Sequence, residues 1–311
     1  MTIHTADAAQ NVNLTYALFR ETFPWAMRNE KTARQILSHP GNTVFLAKQD
    51  ESVAGAAVLR GNTVLLMAVR ESVRGKGVGS TLLSACERAA KAAGHRDLSV
   101  GAGDDYLTPG VPCRSKPYSE TLLTEEIHPE IDDSARAFFE KRGYFHSWKD
   151  CNCFDMSAPF PPEVPISERV GDIVQEIVYR WAVPEDRKGI LRVTDAAEEG
   201  FTKYYDDPAL YDRSSDTDVL AAFFGNVPVG VIMVSRGTES LDTGSVGCTA
   251  VHPDFQGKGI ATCMVRMGTR YLAEKGFRKG FLGYTYSGLD RMYGRAGYRI
   301  CTYYFMAKKV L

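Results

Sequence analysis

Apolar, β-branched runs separated by turn residues recur in two blocks of the chain. In the first block these are TVFLAK (43–48), SVAGAAVLR (52–60) and TVLLMAV (63–69). In the second they are DVLAAFF (218–224), VPVGVIMVS (227–235) and GSVGCTAV (244–251). Runs of this length and composition predict strands. The turn residues Gly61-Asn62 and Asn226-Val227-Pro228 predict antiparallel neighbours. After each third strand the pattern changes to helical spacing, over Ser80–Ala93 and Thr262–Lys275, and each stretch stops at a glycine, Gly94 or Gly276. Another strand follows in each block, Leu98–Gly101 or Gly280–Tyr286. A short helix then leads into a Gly-Tyr pair: Ser134–Arg142 with Gly143-Tyr144, and Leu289–Arg295 with Gly297-Tyr298.

The two blocks are copies of one plan. Val69-Arg70-Glu71-Ser72-Val73-Arg74-Gly75-Lys76-Gly77-Val78-Gly79 and Val251-His252-Pro253-Asp254-Phe255-Gln256-Gly257-Lys258-Gly259-Ile260-Ala261 keep register throughout, at an offset of 182 residues. That offset is too long for a solenoid repeat and suits a duplicated domain. Between the copies lies APFPPEVP (158–165), where prolines remove ladder donors and helix continuity, so an extended linker is expected. The division expected is an N-terminal domain over 1–157, a Pro-rich linker over 158–166 and a C-terminal domain over 167–311. The fold class is α+β, each domain a mostly antiparallel central sheet flanked by helices.

At 311 residues the chain is long enough for two cores. Thirty-seven Lys+Arg against 38 Asp+Glu give a formal net charge of -1, so no field of one sign draws it to nucleic acid or an anionic membrane. No apolar run reaches the length of a spanning helix, and the N-terminus lacks the pattern of a secretion signal, so a cytoplasmic protein is expected. The 7 cysteines are scattered without C-x-x-C spacing and are expected as reduced thiols, with neither disulfide framework nor zinc site.

A strand that turns through small residues into a helix N-terminus gathers backbone N–H groups in one concavity at the positive end of the helix dipole, a cradle for phosphate. Gly77 and Gly79, like Gly259 and Ala261, let an anion approach the backbone, and Lys76 and Lys258 place charge beside it. A plain strand-to-helix turn without ligand would use the same residues. Neither G-x-G-x-x-G nor the G-K-[ST] ending of a P-loop is present, which argues against dinucleotide or ATP binding.

Arg74-x-x-Gly77-x-Gly79 and Gln256-x-x-Gly259-x-Ala261 resemble the acyl-CoA pyrophosphate signature of the GNAT superfamily of N-acetyltransferases. Met292-Tyr293-Gly294-Arg295-Ala296-Gly297-Tyr298 and Phe138-Phe139-Glu140-Lys141-Arg142-Gly143-Tyr144 are similar to that family's second pattern. The resemblance implies acetyl-CoA as co-substrate, without a metal, and acetyl transfer to a primary amine by direct attack in a ternary complex. It implies CoA contacts from Val69, Arg74, Gly75, Lys76, Gly77, Val78 and Gly79 in one copy, and from Ala250, Val251, Gln256, Gly257, Lys258, Gly259, Ile260 and Ala261 in the other.

Such transfer needs a positioned amine, donors for the oxyanion and an acid for the leaving thiolate. Family members use the tyrosine of the second pattern as the acid. This is Tyr293 in the second copy and Phe139 in the first, so the C-terminal domain is expected to be catalytic and the N-terminal one not. Tyr293 could equally be an aromatic that closes its helix on the sheet. Where some members carry a glutamate base, the copies have Thr63 and Ser245. Asp290, three residues before Tyr293, either assists it or serves as a helix N-terminal charge. Tyr286 and Ser287 stand where the family has a CoA-contacting Asn.

For the acceptor, Tyr204, Tyr205 and Asp206, with Tyr286 and Tyr303-Tyr304, offer aromatic faces beside carboxylates, which suit an amino sugar; core tyrosines and solvated acids would read the same. The loop Gly103-Asp104-Asp105-Tyr106-Leu107-Thr108-Pro109-Gly110-Val111-Pro112, with Tyr284-Thr285-Tyr286, resembles tandem bacterial glucosamine and glucosaminide N-acetyltransferases. Antibiotics, polyamines or protein amines as acceptors, and a tandem protein that binds CoA without turnover, remain open at this level. So does catalysis in the N-terminal copy with an acid from elsewhere.

Overall fold

The computed structural model describes residues 2–49, 52–101, 103, 105–120, 125–160, 176–236 and 242–311. The first half contributes β1 (Thr2–Ala6), α1 (Val12–Thr22), α2 (Glu30–Ser38), β2 (Asn42–Gln49), β3 (Ser52–Arg60), β4 (Thr63–Val69), α3 (Val78–Ala92), β5 (Asp97–Val100), β6 (Val111–Cys113), α4 (Ser134–Glu140), β7 (Phe145–His146) and β8 (Cys153–Pro159). The second contributes β9 (Ile177–Trp181), α5 (Arg187–Ala197), β10 (Thr217–Phe224), β11 (Val227–Ser235), β12 (Thr243–Val251), α6 (Ile260–Glu274), β13 (Lys279–Tyr286), α7 (Asp290–Gly294), β14 (Arg299–Phe305) and β15 (Ala307–Val310).

Two sheets result, in the orders β1-β2-β3-β4-β5-β15-β7 and β6-β14-β8-β13-β12-β11-β10-β9. The predicted strands fall within β2 to β5 and β10 to β13, save that Gly101 lies one residue beyond β5, and the ends of both long predicted helices fall within two residues of those of α3 and α6. The turn expected at Asn226-Val227-Pro228 closes instead through Gly225 (φ 58°) and Asn226. Pro228 lies inside β11, where the register to β10 shifts beside Phe223, a bulge that accommodates its missing donor.

Each sheet opens at the same place. β4 and β5 pair in parallel only at Thr63–Ser99 and Val64–Val100, and β12 and β13 only over Thr243–Ser245 with Lys279–Phe281. Beyond these points β4 continues to Val69 and β12 to Val251, each into its glycine turn.

The compact units are interleaved in sequence, unlike the contiguous halves expected. One comprises Met1–Glu120, Ile127–Phe154 and Thr302–Leu311; the other comprises Thr121–Glu126 and Asp155–Cys301. The reason lies in the ladders: β15, at the end of the chain, pairs with β5 and β7 in the first sheet. Ala158 and Pro159, assigned by sequence to the linker, are the last two residues of β8. Residues 161–166 of that linker, like Asp104 of the loop 103–112, lie outside the described residues. In the first unit α1, α2 and the strands bury Leu18, Phe19, Leu37, Val44 and Val58 in one cluster. In the second, α5 and the strands bury Ile190, Tyr205, Val219, Phe223 and Val231. All seven cysteines are free thiols.

Candidate active site

The two glycine turns superimpose chemically as well as in sequence. Gly75 (φ 76°) and Gly77 (φ 85°) in one, and Gly257 (φ 74°) and Gly259 (φ 81°) in the other, take left-handed conformations that favour glycine. Among the described residues, a Cβ on any of these four would meet no atom within 4 Å, so all four border open space there. Gly77 and Gly259 are the N-caps of α3 and α6, and among the described residues no side chain caps either helix, which leaves the first-turn N–H groups to face that space. Arg74 Nε donates to the Val69 carbonyl at 3.1 Å, and Gln256 Nε2 to the equivalent Val251 carbonyl at 3.1 Å. Lys76 Nζ reaches Ser72 O at 3.2 Å and Lys258 Nζ reaches Asp254 O at 3.0 Å. Both lysines thus fold back over their own turns and clamp them. Val78 and Ile260 are buried beneath the helix starts, while a Cβ on Gly79 would touch Phe138 at 3.4 Å.

In the second unit α7 carries Tyr293, which is 4% exposed, and its hydroxyl lies 3.3 Å from Thr249 Oγ1 on β12. Burial pushes the Tyr293 phenol up to about 12, so it is protonated at neutral pH. Thr249 belongs to a bulge: Val231 pairs with Ala250 and Met233 with Gly247, so two residues of β12 oppose one of β11. Cys248 there has φ 49°, its thiol pushed up to about 11 by burial. The Tyr205 hydroxyl donates to the Cys248 carbonyl, and Tyr211 donates to the Tyr205 carbonyl at 2.7 Å. Tyr205, expected as an acceptor contact, is fully buried against the bulge. Tyr204 (43% exposed) and Tyr286 (39% exposed) face solvent, whereas Asp206 is held in an ion pair by Arg187. Asp290 is buried in the first turn of α7, and Tyr303 and Tyr304 are buried on β14.

In the first unit Phe139 stands where Tyr293 stands in the second, packed edge-on between Phe138 and Tyr144 at 5.2 Å from each. This unit contains a cavity of about 470 Å³. It begins at Arg74, Gly75 and Gly77, follows β4 from Val69 to Val64, and ends among Phe23, Trp25 and Leu107. At its rim Arg142 lies 3.7 Å over the Phe138 ring and donates to Ser80 Oγ at 2.7 Å. Sequence reasoning did not identify Thr249, the bulge or Arg142. Nothing local marks them, because each acquires its role from a residue tens of positions away.

A family model described as "Acetyltransferase (GNAT) domain" matches residues 4–109, and one described as "Acetyltransferase (GNAT) family" matches residues 178–298. No curated protein matches the sequence. Among solved structures, a GCN5-related glucosamine N-acetyltransferase region of a fungal multi-domain GH3 β-N-acetylglucosaminidase is similar over 99% of this chain, with TM-score 0.75 and 16% identity. The chain spans 38% of that one's length. A GCN5-related N-acetyltransferase from Sphaerobacter thermophilus has TM-score 0.66 and 17% identity, over 99% of this chain and 95% of its own. A tandem GNAT protein from the clavulanic acid biosynthesis pathway has TM-score 0.65 and 13% identity, over 99% and 98%. At these identities the likeness is one of fold.

Proposed function

The chain belongs to the GNAT family of acetyltransferases, with two such domains in tandem, and on that premise we propose that its second unit transfers acetyl from acetyl-CoA to the primary amine of an amino sugar. One observation carries the assignment to this unit. A buried, protonated Tyr293 hydroxyl meets Thr249, two residues before the Val251 that opens the second glycine cradle. A proton donor and a phosphate cradle on one strand end are what thioester aminolysis requires.

The chain's own residues divide the work. Gly257, Gly259 and the first turn of α6 receive the CoA pyrophosphate. The bulge at Cys248 and Thr249 takes backbone out of the ladder and supplies an N–H donor for the oxyanion. Tyr293 faces the departing sulfur. With its pKa near 12, outright proton loss to a thiolate near 8.5 is uphill by about 5 kcal/mol. Tyr293 therefore works as a hydrogen-bond donor that gives up its proton only as one arrives from the amine. The exposed rings of Tyr204 and Tyr286 support an amino sugar, as ring faces on which a pyranose stacks.

The first unit offers a second reading, favoured by its cavity of about 470 Å³ at the other cradle. In this reading it holds an acyl-CoA without turnover, since Phe139 has no proton to give.

The experiment is an acceptor panel with acetyl-CoA, scored by thiol release: glucosamine, short glucosaminides, polyamines, aminoglycosides and lysine peptides. Glucosamine or a glucosaminide is expected to give the highest kcat/KM. A different amine class in front would overturn the substrate, and thiol release from none would overturn the transferase.

A further inference from the structure

Neither copy has a carboxylate at the strand position where a base was sought, Thr63 and Ser245. The second sheet supplies one from a different strand. Asp155 lies on β8, in the first half of the sequence but within the second unit, and is 6% exposed. Its Oδ1 accepts the Tyr284 N–H at 2.9 Å and lies 3.3 Å from where a Cβ on Gly283 would be. Gly283 itself is exposed, so the carboxylate borders a solvent-reached notch that a larger side chain would fill.

The alternation of the strands fixes which face this is. A Cβ on Gly244 would meet Leu272 of α6, a Cβ on Gly280 would meet Tyr298 Oη and Phe160, and Val246 packs against Gly268 of α6. Gly244, Val246, Gly280 and Phe160 thus share the α6 face. Gly283 and Asp155, odd in spacing from Gly280 and Phe160, take the opposite one. That is the face on which Tyr205, Cys248 and Ala250 pack with α5. Tyr293 and the glycine cradle lie at the α6 side of the gap where β12 and β13 part. The carbonyl carbon of a thioester is attacked from above or below the plane of its C=O, and an acetyl group seated in that gap would turn one of those two faces to the side of the sheet that carries Asp155.

We propose that Asp155 is the acceptor-side carboxylate of the second unit, holding the substrate ammonium over Gly283 and taking the proton that frees the nitrogen lone pair before the C–N bond forms. This rests on the transferase activity proposed above. The amine nitrogen bonds to the carbonyl carbon while the C–S bond breaks. Of the two protons the ammonium loses, one passes to Asp155 and on to water, and the other neutralises the thiolate through Tyr293.

The test is Asp155→Asn in the full chain, beside Gly283→Ala. The Asn side-chain oxygen still accepts the Tyr284 N–H, so the melting temperature should stay within a few degrees. The kcat/KM for glucosamine should fall roughly 10²-fold with the KM for acetyl-CoA unchanged. Gly283→Ala, whose methyl crowds the notch without backbone strain, should raise the KM for the amine and leave the KM for acetyl-CoA alone; it decides the matter if Asp155→Asn fails to fold. Wild-type turnover with unchanged amine kinetics in both variants overturns Asp155 and spares the transferase. No turnover by the wild type on any amine overturns the transferase. Asp155 is then judged by calorimetry with glucosamine, where equal or absent binding by wild type and Asp155→Asn overturns it too.

Discussion

Tyr293 and Phe139 differ by one oxygen atom, and that atom separates the two copies. Tyr293→Phe keeps the packing of the ring against Tyr298 at 6.2 Å and removes only the hydroxyl near Thr249. Turnover with the best amine should fall about 10²-fold while acetyl-CoA binding by calorimetry stays unchanged; equal turnover would remove Tyr293 from the chemistry. The same burial has a consequence for stability. Tyr205, Tyr293, Tyr298 and Tyr211 are raised by desolvation, Tyr293 and Tyr211 to about 12. A folded-state value above the unfolded value of about 10 contributes stability that is complete below pH 10 and is lost as the pH rises from 10 toward 12. Denaturant midpoints should hold up to about pH 10 and then fall steeply; a flat profile to pH 12 would contradict the burial.

The glycine turn is an element in which backbone conformation and ligand space can be tested separately. In Gly259→Ala the new methyl meets no atom of the described residues, so the structural cost is that of a left-handed alanine, about 1 kcal/mol or a few degrees of melting temperature. The methyl points into the space assigned to pyrophosphate, so the KM for acetyl-CoA should rise at least roughly tenfold while Gly77→Ala leaves turnover intact. The reverse result, loss with Gly77→Ala only, would place the chemistry in the first unit. At this scale the sequence read well. The meanders, the long helices and the glycine caps follow from local periodicity and from φ requirements. The misread turn at Val227-Pro228 fell to a bulge, which depends on the opposite strand.

At the scale of the whole molecule the unit boundaries carry the prediction. The first unit includes Thr302–Leu311, whose strand β15 bonds to β5 on one side and β7 on the other. A fragment of residues 1–160 lacks it and leaves two open edges in the middle of the sheet. It should fail to give a cooperative melt, whereas a sharp transition like that of the full chain would show that β15 is dispensable. Two copies of one domain, their order, the glycine cradles and the Tyr-for-Phe difference were all fixed by the sequence alone, because these features are local in the chain. The tertiary structure alone decided which sheet each terminal strand completes, that Thr249 lies under Tyr293, and that Asp155 from the first half lies beside Gly283 of the second sheet. Strand partners more than a hundred residues apart are chosen by packing and edge hydrogen bonding, and a period of two residues carries no record of that choice.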